Sequence, residues 1–265
     1  MNNAKSLNTD RSPEFSDHLY APHTHWVKPA LKWMKLPPLY SFDLEEARRE
    51  FELIRKDFPL KPFEVSSKSG RTRPRLSYRG LGLTARANAE EPLYDALSLY
   101  GPGDKKLSIF HTFEKVSDKK EPDERVIETL DESGFNQETQ ACRPYFSKLL
   151  EKFKSPTTKV RFLEMTPGGY IPPHVDFPFY HGIRVHACLY SNPDVVWEVE
   201  GEQFTIPCDG NFYWFDTGRY HAVRNNSDES RVVFSVNLTP YFDRTGQPRL
   251  APSTDLIELI RSGGV

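Results

Sequence analysis

KVRFLEMTPGGYIPPHVD (residues 159–176), IRVHACLY (183–190), VVWEV (195–199), QFTI (203–206), NFYWF (211–215), AVR (222–224) and RVVFSVNL (231–238) follow one another with short connections. Most of these runs are rich in β-branched and aromatic residues, which suit a pleated, half-buried surface. The connections carry turn residues: Pro167-Gly168-Gly169, Asn192-Pro193, Glu200-Gly201, Asp209-Gly210 and Asn225-Asn226. Regular short strands with such turns predict a mainly β core, a sandwich or jelly roll with flanking helices. Alternation within IRVHACLY gives its sidedness, because successive strand side chains point to opposite faces. Val185, Ala187 and Leu189 take one face. Arg184 and His186 take the other, as lining of a polar pocket or as ordinary strand decoration.

Outward from this core the texture is mixed. Residues 1–40 are polar, then rich in aromatics and proline (Trp26, Pro29, Trp33, Pro37, Pro38), and little regular structure is expected there. Asp43 caps a predicted helix, Glu46 completes a D-x-x-E box, and Leu44, Ala47, Phe51 and Ile54 form its apolar stripe up to Pro59. Residues 61–90 are locally basic (Lys61, Lys68, Arg71, Arg73, Arg75, Arg79, Arg86) and interrupted by Gly70, Gly80 and Gly82. They read as a solvated loop or as a basic lip that receives an anionic group. Leu107–Val116 reads as a strand, and Asp123–Asp131 and Pro144–Lys154 read as helices, the last with proline in its first turn. Thr254–Arg261 reads as a short helix capped by Ser253 and ended by Gly263-Gly264. The expected organisation is an N-terminal extension (1–40), a mixed α/β segment packed on the core and shaping specificity (41–155), the β core (156–245) and a C-terminal segment with a short helix (246–265).

The bulk numbers exclude several classes. Lys and Arg total 35 against 37 Asp and Glu, so no charge excess points to a nucleic-acid partner. Aromatics make up 13% of 265 residues, enough for a substantial core rather than a disordered chain. Cys142, Cys188 and Cys208 are odd in number, widely spaced and free of any CxxC, which reads as three reduced thiols. The first residues, MNNAKSLNTDRSPEF, lack the apolar stretch of a secretory signal, and no run has the length of a membrane span. A soluble, cytoplasmic protein with no membrane partner is expected.

Inside the β core, His174 and Asp176 stand at i and i+2, so in extended chain both side chains point the same way. The PGGYIPP run before them is a tight, proline-stiffened approach. His221 follows Asp216-Thr217-Gly218 at a turn-to-strand junction. Two imidazoles and one carboxylate on one face of a metal leave the opposite positions open, the arrangement of non-haem Fe(II) oxygenases. Arg231 lies ten residues further on, in an apolar run where a cation calls for an anionic partner such as a dicarboxylate. A zinc-binding cupin-like module and a metal-free barrel are the competing readings.

These pieces together resemble the aspartyl/asparaginyl β-hydroxylase family of 2-oxoglutarate-dependent oxygenases. Its pattern is carried by Pro167-Gly168 with His174, by Arg184-x-His186, by Phe215-Asp216 with His221 and Asn225, and by Arg231 before an apolar strand. The match spans roughly residues 159–242. It implies a double-stranded β-helix of cupin-like form. It further implies Fe(II) on His174, Asp176 and His221, with 2-oxoglutarate and O2 as cosubstrates. Arg231 would pair with the distal carboxylate of 2-oxoglutarate, with Arg184 and His186 at its metal-bound end. Some members, animal ones included, lack the carboxylate ligand; Asp176 makes this chain more similar to triad-bearing members such as bacterial proline hydroxylases. A hydroxyl that assists the cosubstrate in the family falls at Leu163 here, so that contact is absent or replaced. The implied activity is hydroxylation of an aspartyl or asparaginyl residue of a peptide or protein, or of a free amino acid or small metabolite. Tyr180 and His181 lie between the ligands and Arg184, either facing that substrate or exposed on a loop.

Overall fold

The computed structural model describes residues 31–66, 72–97, 134–153, 155–174, 176, 183–238, 256 and 259–260. In chain order the strands are β1 (Trp33–Lys35), β2 (Lys61–Ser66), β3 (Thr72–Gly82), β4 (Thr84–Ala85), β5 (Gln137–Glu138), β6 (Thr157–Met165), β7 (Tyr170–His174), β8 (Ile183–Tyr190), β9 (Val195–Val199), β10 (Glu202–Phe204), β11 (Tyr213–Phe215), β12 (His221–Asn225) and β13 (Arg231–Leu238). The helices are α1 (Leu44–Asp57), the single turn α2 (Pro92–Asp95) and α3 (Pro144–Leu150).

From β6 onward the chain passes back and forth between two antiparallel sheets. β6, β8, β11 and β13 belong to a seven-stranded sheet ordered β1-β11-β8-β13-β6-β3-β2, and β7, β9, β10 and β12 form a four-stranded sheet ordered β10-β9-β12-β7. This winding is a double-stranded β-helix. The large sheet is apolar on its outer face, where Val160, Phe162, Val185, Ala187, Val232, Phe234 and Val236 join Phe51 and Ile54 of α1 and Phe146 of α3 in one core. Its inner face holds Leu163, Met165, Cys188 and Val233, which meet Trp197, Val199 and Val223 of the small sheet. Between these apolar patches the inner face also carries Arg161, Arg184, His186, Arg231, Ser235 and Asn237, all buried. The period of two that separated the faces of IRVHACLY therefore holds across the sheet.

The helix after Asp43 forms as the pattern requires. The Asp43 carboxylate accepts from the Glu46 amide at 3.0 Å, and Ala47, Phe51 and Ile54 are buried. Substituting such an N-cap typically costs about 1 kcal/mol. The helix from Pro144 stops at Leu150 rather than Lys154, because Lys152 and Phe153 turn back onto the carbonyls of Leu149 and Leu150 and Phe153 buries its ring against Phe212.

The reading of residues 61–90 as a loop is corrected. β2 and β3 pair as a hairpin, and β3 extends the large sheet by pairing with β6, Tyr78 facing Met165 and Gly80 facing Leu163. The glycines mark close packing here. A Cβ on Gly80 would lie 2.5 Å from Leu97 Cδ2, and one on Gly82 3.0 Å from Ala96 Cβ. Residues 107–116, 123–131, Tyr180 and His181 lie outside the described residues, so those expectations are not addressed. Of the C-terminal helix, Leu256 and Ile260 are described and are buried in the core.

Candidate metal centre

β7 and β12 are antiparallel neighbours, and His174 and His221 are direct partners in their register, although 47 residues separate them in the sequence. The strand ends are held by two turns. Gly168 adopts φ +68°, which a residue with a Cβ tolerates poorly, and a Cβ on Gly169 would lie 2.5 Å from Met165 Cγ. This PGG turn swings the chain from the large sheet to the small one. The buried side chain of Asn225 pins it, donating towards the carbonyls of Met165 and Thr166 at 3.2 Å and of Glu229 at 2.8 Å. At the other end, buried Asp216 accepts from the Gly218 amide at 3.0 Å and from Arg219 Nε at 2.9 Å, and Arg219 also pairs with Glu200 at 2.6 Å. The same loop offers the Thr217 carbonyl to the Asp176 amide at 2.9 Å. One ordered loop thus positions both His221 and Asp176.

The result is a compact cluster. One ligand atom from each of His174, Asp176 and His221 lies within 4.8 Å of the others. His174 Nε2 is 3.6 Å from Asp176 Oδ1, and His221 Nε2 is 4.0 Å from Asp176 Oδ2. His174 Nδ1 lies 2.7 Å from the Pro172 carbonyl and His221 Nδ1 2.9 Å from the Arg219 carbonyl. A carbonyl can only accept, so each Nδ1 donates to it and each ring turns its Nε2 edge toward the cluster. Burial holds the His221 pKa down to about 4, against the pull of Asp176, so its ring is neutral at physiological pH. Burial works against ionisation of Asp176, but Arg184 and the two histidines beside it outweigh this, and its pKa is lowered. Two imidazoles and one carboxylate gathered in this way are a donor set that suits a divalent first-row metal.

The cluster opens into a cavity with room for the centres of several water molecules, about 60 Å³. Its lining includes Tyr78, Arg161, Arg184, His186, Trp197 and Arg231. Arg231 is 1% exposed, sits over the Trp197 ring at 4.9 Å, and its Nε and Nη1 have no hydrogen-bond partner among the described residues. A buried guanidinium with two donors that no described residue uses calls for an anionic partner. His186 is buried between Phe215 (5.1 Å, stacked) and Trp197 (5.3 Å), and neither ring nitrogen has a partner among the described residues. Burial, then Arg184 and Arg231, push its pKa well down, so it too is neutral. Arg184 points at the metal cluster: it donates to Asp176 Oδ2 and, through Nε at 2.9 Å, to Asn237 Oδ1. Sequence reasoning did not single out Asn237, Arg161, Trp197 or Tyr78. Asn237 and Arg161 were legible only as inward positions on their strands, and Tyr78 was hidden in a stretch read as loop.

The fold is thus a cupin-like double-stranded β-helix, and two histidines and an aspartate that could hold a metal line the same cavity as several buried cations. The chain belongs to the aspartyl/asparaginyl β-hydroxylase family, whose sequence profile matches residues 107–240. Family membership supports a hydroxylase. No curated protein matches the sequence. Among solved structures the chain is similar to an oxidoreductase of the 2OG-Fe(II) oxygenase family from Burkholderia pseudomallei, at 13% identity and TM-score 0.39 over 83% of this chain and 89% of that one. It is also similar to TT1209 from Thermus thermophilus, at 22% identity and TM-score 0.25 over 32% and 74% of the two chains. A third is the Cupin_2 domain of an XRE family transcriptional regulator from Enterobacter cloacae, at 21% identity and TM-score 0.25 over 34% and 86%. No helix among the described residues is long and apolar enough to cross a membrane.

Proposed function

We propose that the protein is an Fe(II)- and 2-oxoglutarate-dependent dioxygenase that hydroxylates an unactivated C–H. Its favoured target is the β-carbon of an aspartyl or asparaginyl residue, or of a related amino acid. The observation that carries this reading is the shared cavity: the two Nε2 atoms and the Asp176 carboxylate face the space in which Arg231 holds two unused donors. His174, Asp176 and His221 would hold the metal. When bound, the iron supplies O2 activation coupled to decarboxylation of 2-oxoglutarate to succinate and CO2.

The chain's own residues do the rest. Arg184 braces Asp176 by donating to its Oδ2, and the carboxylate so held would join the two histidines in holding the metal. Arg231 receives the distal carboxylate of 2-oxoglutarate in a forked, charge-assisted contact that lysine reproduces poorly. Neutral His186 offers one N–H donor near the opposite end of the cosubstrate, with Arg184 alongside. The aromatic walls, Trp197 and Phe215, keep water away from these groups. Arg161, Arg184 and Arg231 face a single carboxylate, Asp176, among the described lining residues, so a substrate that brings a further carboxylate complements the site.

The test is anaerobic titration of Fe(II) into metal-free protein with 2-oxoglutarate, read by the visible metal-to-ligand charge-transfer absorption. The expected band disappears in His174→Ala. Bound Fe(II) without a band in the unmodified protein overturns the reading. A band licenses the next screen, peptides against free amino acids, by succinate release.

A further inference from the structure

The anion pocket has a second wall that comes from outside the residues matched by the family profile. Tyr78 belongs to β3, and its register partner is Met165 of β6, which in turn is the partner of Arg231 of β13. Tyr78 and Arg231 therefore lie on one row of three adjacent strands. The face is fixed independently: Leu81 and Leu83 pack into the outer core with the helices, which puts Tyr78 and Gly80 on the inner face. The Tyr78 ring packs against Phe63 with centroids 4.6 Å apart, it lines the metal cavity, and its hydroxyl hydrogen-bonds the Arg231 side chain. In that bond the guanidinium N–H donates and the phenol oxygen accepts, which leaves the phenol proton for another acceptor. Leu163, the residue where a family hydroxyl would fall, lines the same cavity but has no polar side-chain atom.

We infer that Tyr78 is a cosubstrate-binding residue: with Arg231 it forms a two-sided clamp on the distal carboxylate of the 2-oxo dicarboxylate. The hairpin β2–β3 thus completes the pocket as well as extending the sheet. Arg231 contributes charge and a fork, Tyr78 a neutral O–H donor from β3, on the far side of β6. This inference rests on the dioxygenase reading proposed above.

The test compares two probes in the metal-loaded protein without O2: 2-oxoglutarate, and 2-oxopentanoate, which has the same chain length without the distal carboxylate. Binding is followed by the charge-transfer absorption, and Fe(II) affinity is measured separately. Tyr78→Phe keeps the ring and removes the hydroxyl. The expected result is about tenfold weaker 2-oxoglutarate binding, as a lost hydrogen bond to a charged group implies, with 2-oxopentanoate binding and Fe(II) affinity unchanged. Equal weakening of both probes shows a general distortion of the pocket and overturns the clamp, as does unaltered binding of 2-oxoglutarate. Absence of the band in the unmodified protein overturns the dioxygenase reading itself, so the two failures are separate. Arg231→Met supplies the control, because it removes the other jaw and should narrow the preference for 2-oxoglutarate further.

Discussion

Arg231→Met isolates the value of the buried fork. Methionine retains most of the side-chain length and apolar bulk beside Trp197, so the change removes charge and donors with little loss of packing. In the protein as described, Nε and Nη1 are both buried without a partner. If both donate to the distal carboxylate, each charge-assisted bond contributes roughly 1.5–3 kcal/mol. Taking the lower figure for both gives about 3 kcal/mol, or about 150-fold in affinity. Arg231→Lys should fall between, since it keeps the charge and loses the fork. Stability should move the other way. Burial lowers the Arg231 pKa, so the cation stands in an unfavourable setting until an anion arrives. Removing it should leave the metal-free protein at least as stable, less a cation–π contact worth about 0.5–2 kcal/mol. The assays are calorimetric titration with 2-oxoglutarate in the anaerobic Fe(II) form, and thermal unfolding with and without the cosubstrate. A variant that binds within about threefold of the unmodified protein would refute the assignment of Arg231. A large drop in melting temperature without cosubstrate would show that the cation already has an anionic partner besides the neutral Tyr78 hydroxyl.

Two further outcomes follow from the geometry. His186 is neutral in the folded protein and titrates near its ordinary value of 6.5 when unfolded, so below 6.5 the unfolded chain takes up a proton that the native site refuses. Its contribution to stability is present above that pH and declines as pH falls, by up to about 1.4 kcal/mol per pH unit; denaturant titrations of the metal-free protein should show this slope, reduced in His186→Gln. Asn225→Ala leaves the Met165, Thr166 and Glu229 carbonyls without their shared donor and should cost about 2–4 kcal/mol, measured as a shift of the urea midpoint at constant m-value.

Much of this site was written locally. The boundaries of β8, β9 and β13 coincide with the runs IRVHACLY, VVWEV and RVVFSVNL, because a half-buried strand must alternate and a turn must carry residues that turn. The same periodicity put Arg184 and His186 on the inner face, and the i, i+2 spacing put His174 and Asp176 on one side. The D-x-x-E box after Asp43 likewise became the observed cap. These are short-range constraints, readable from neighbours in the chain.

What lay beyond the sequence was set by pairing over long separations. Register alone makes His174 and His221 partners, and a slip of one residue would turn one of them away from the cluster. Arg184 proved to brace Asp176 as well as to face the cavity, a contact that depends on where the chain re-enters the large sheet. Tyr78 reached Arg231 because β3 lies beside β6, which no local pattern announces in a stretch broken by Gly80 and Gly82. Those glycines looked like loop residues because a sequence shows a missing side chain but not the neighbour that fills its place. The type and spacing of the candidate ligands were thus legible in the sequence; which of these side chains meet, and what braces them, was decided by the packing of two sheets that bring distant segments within contact.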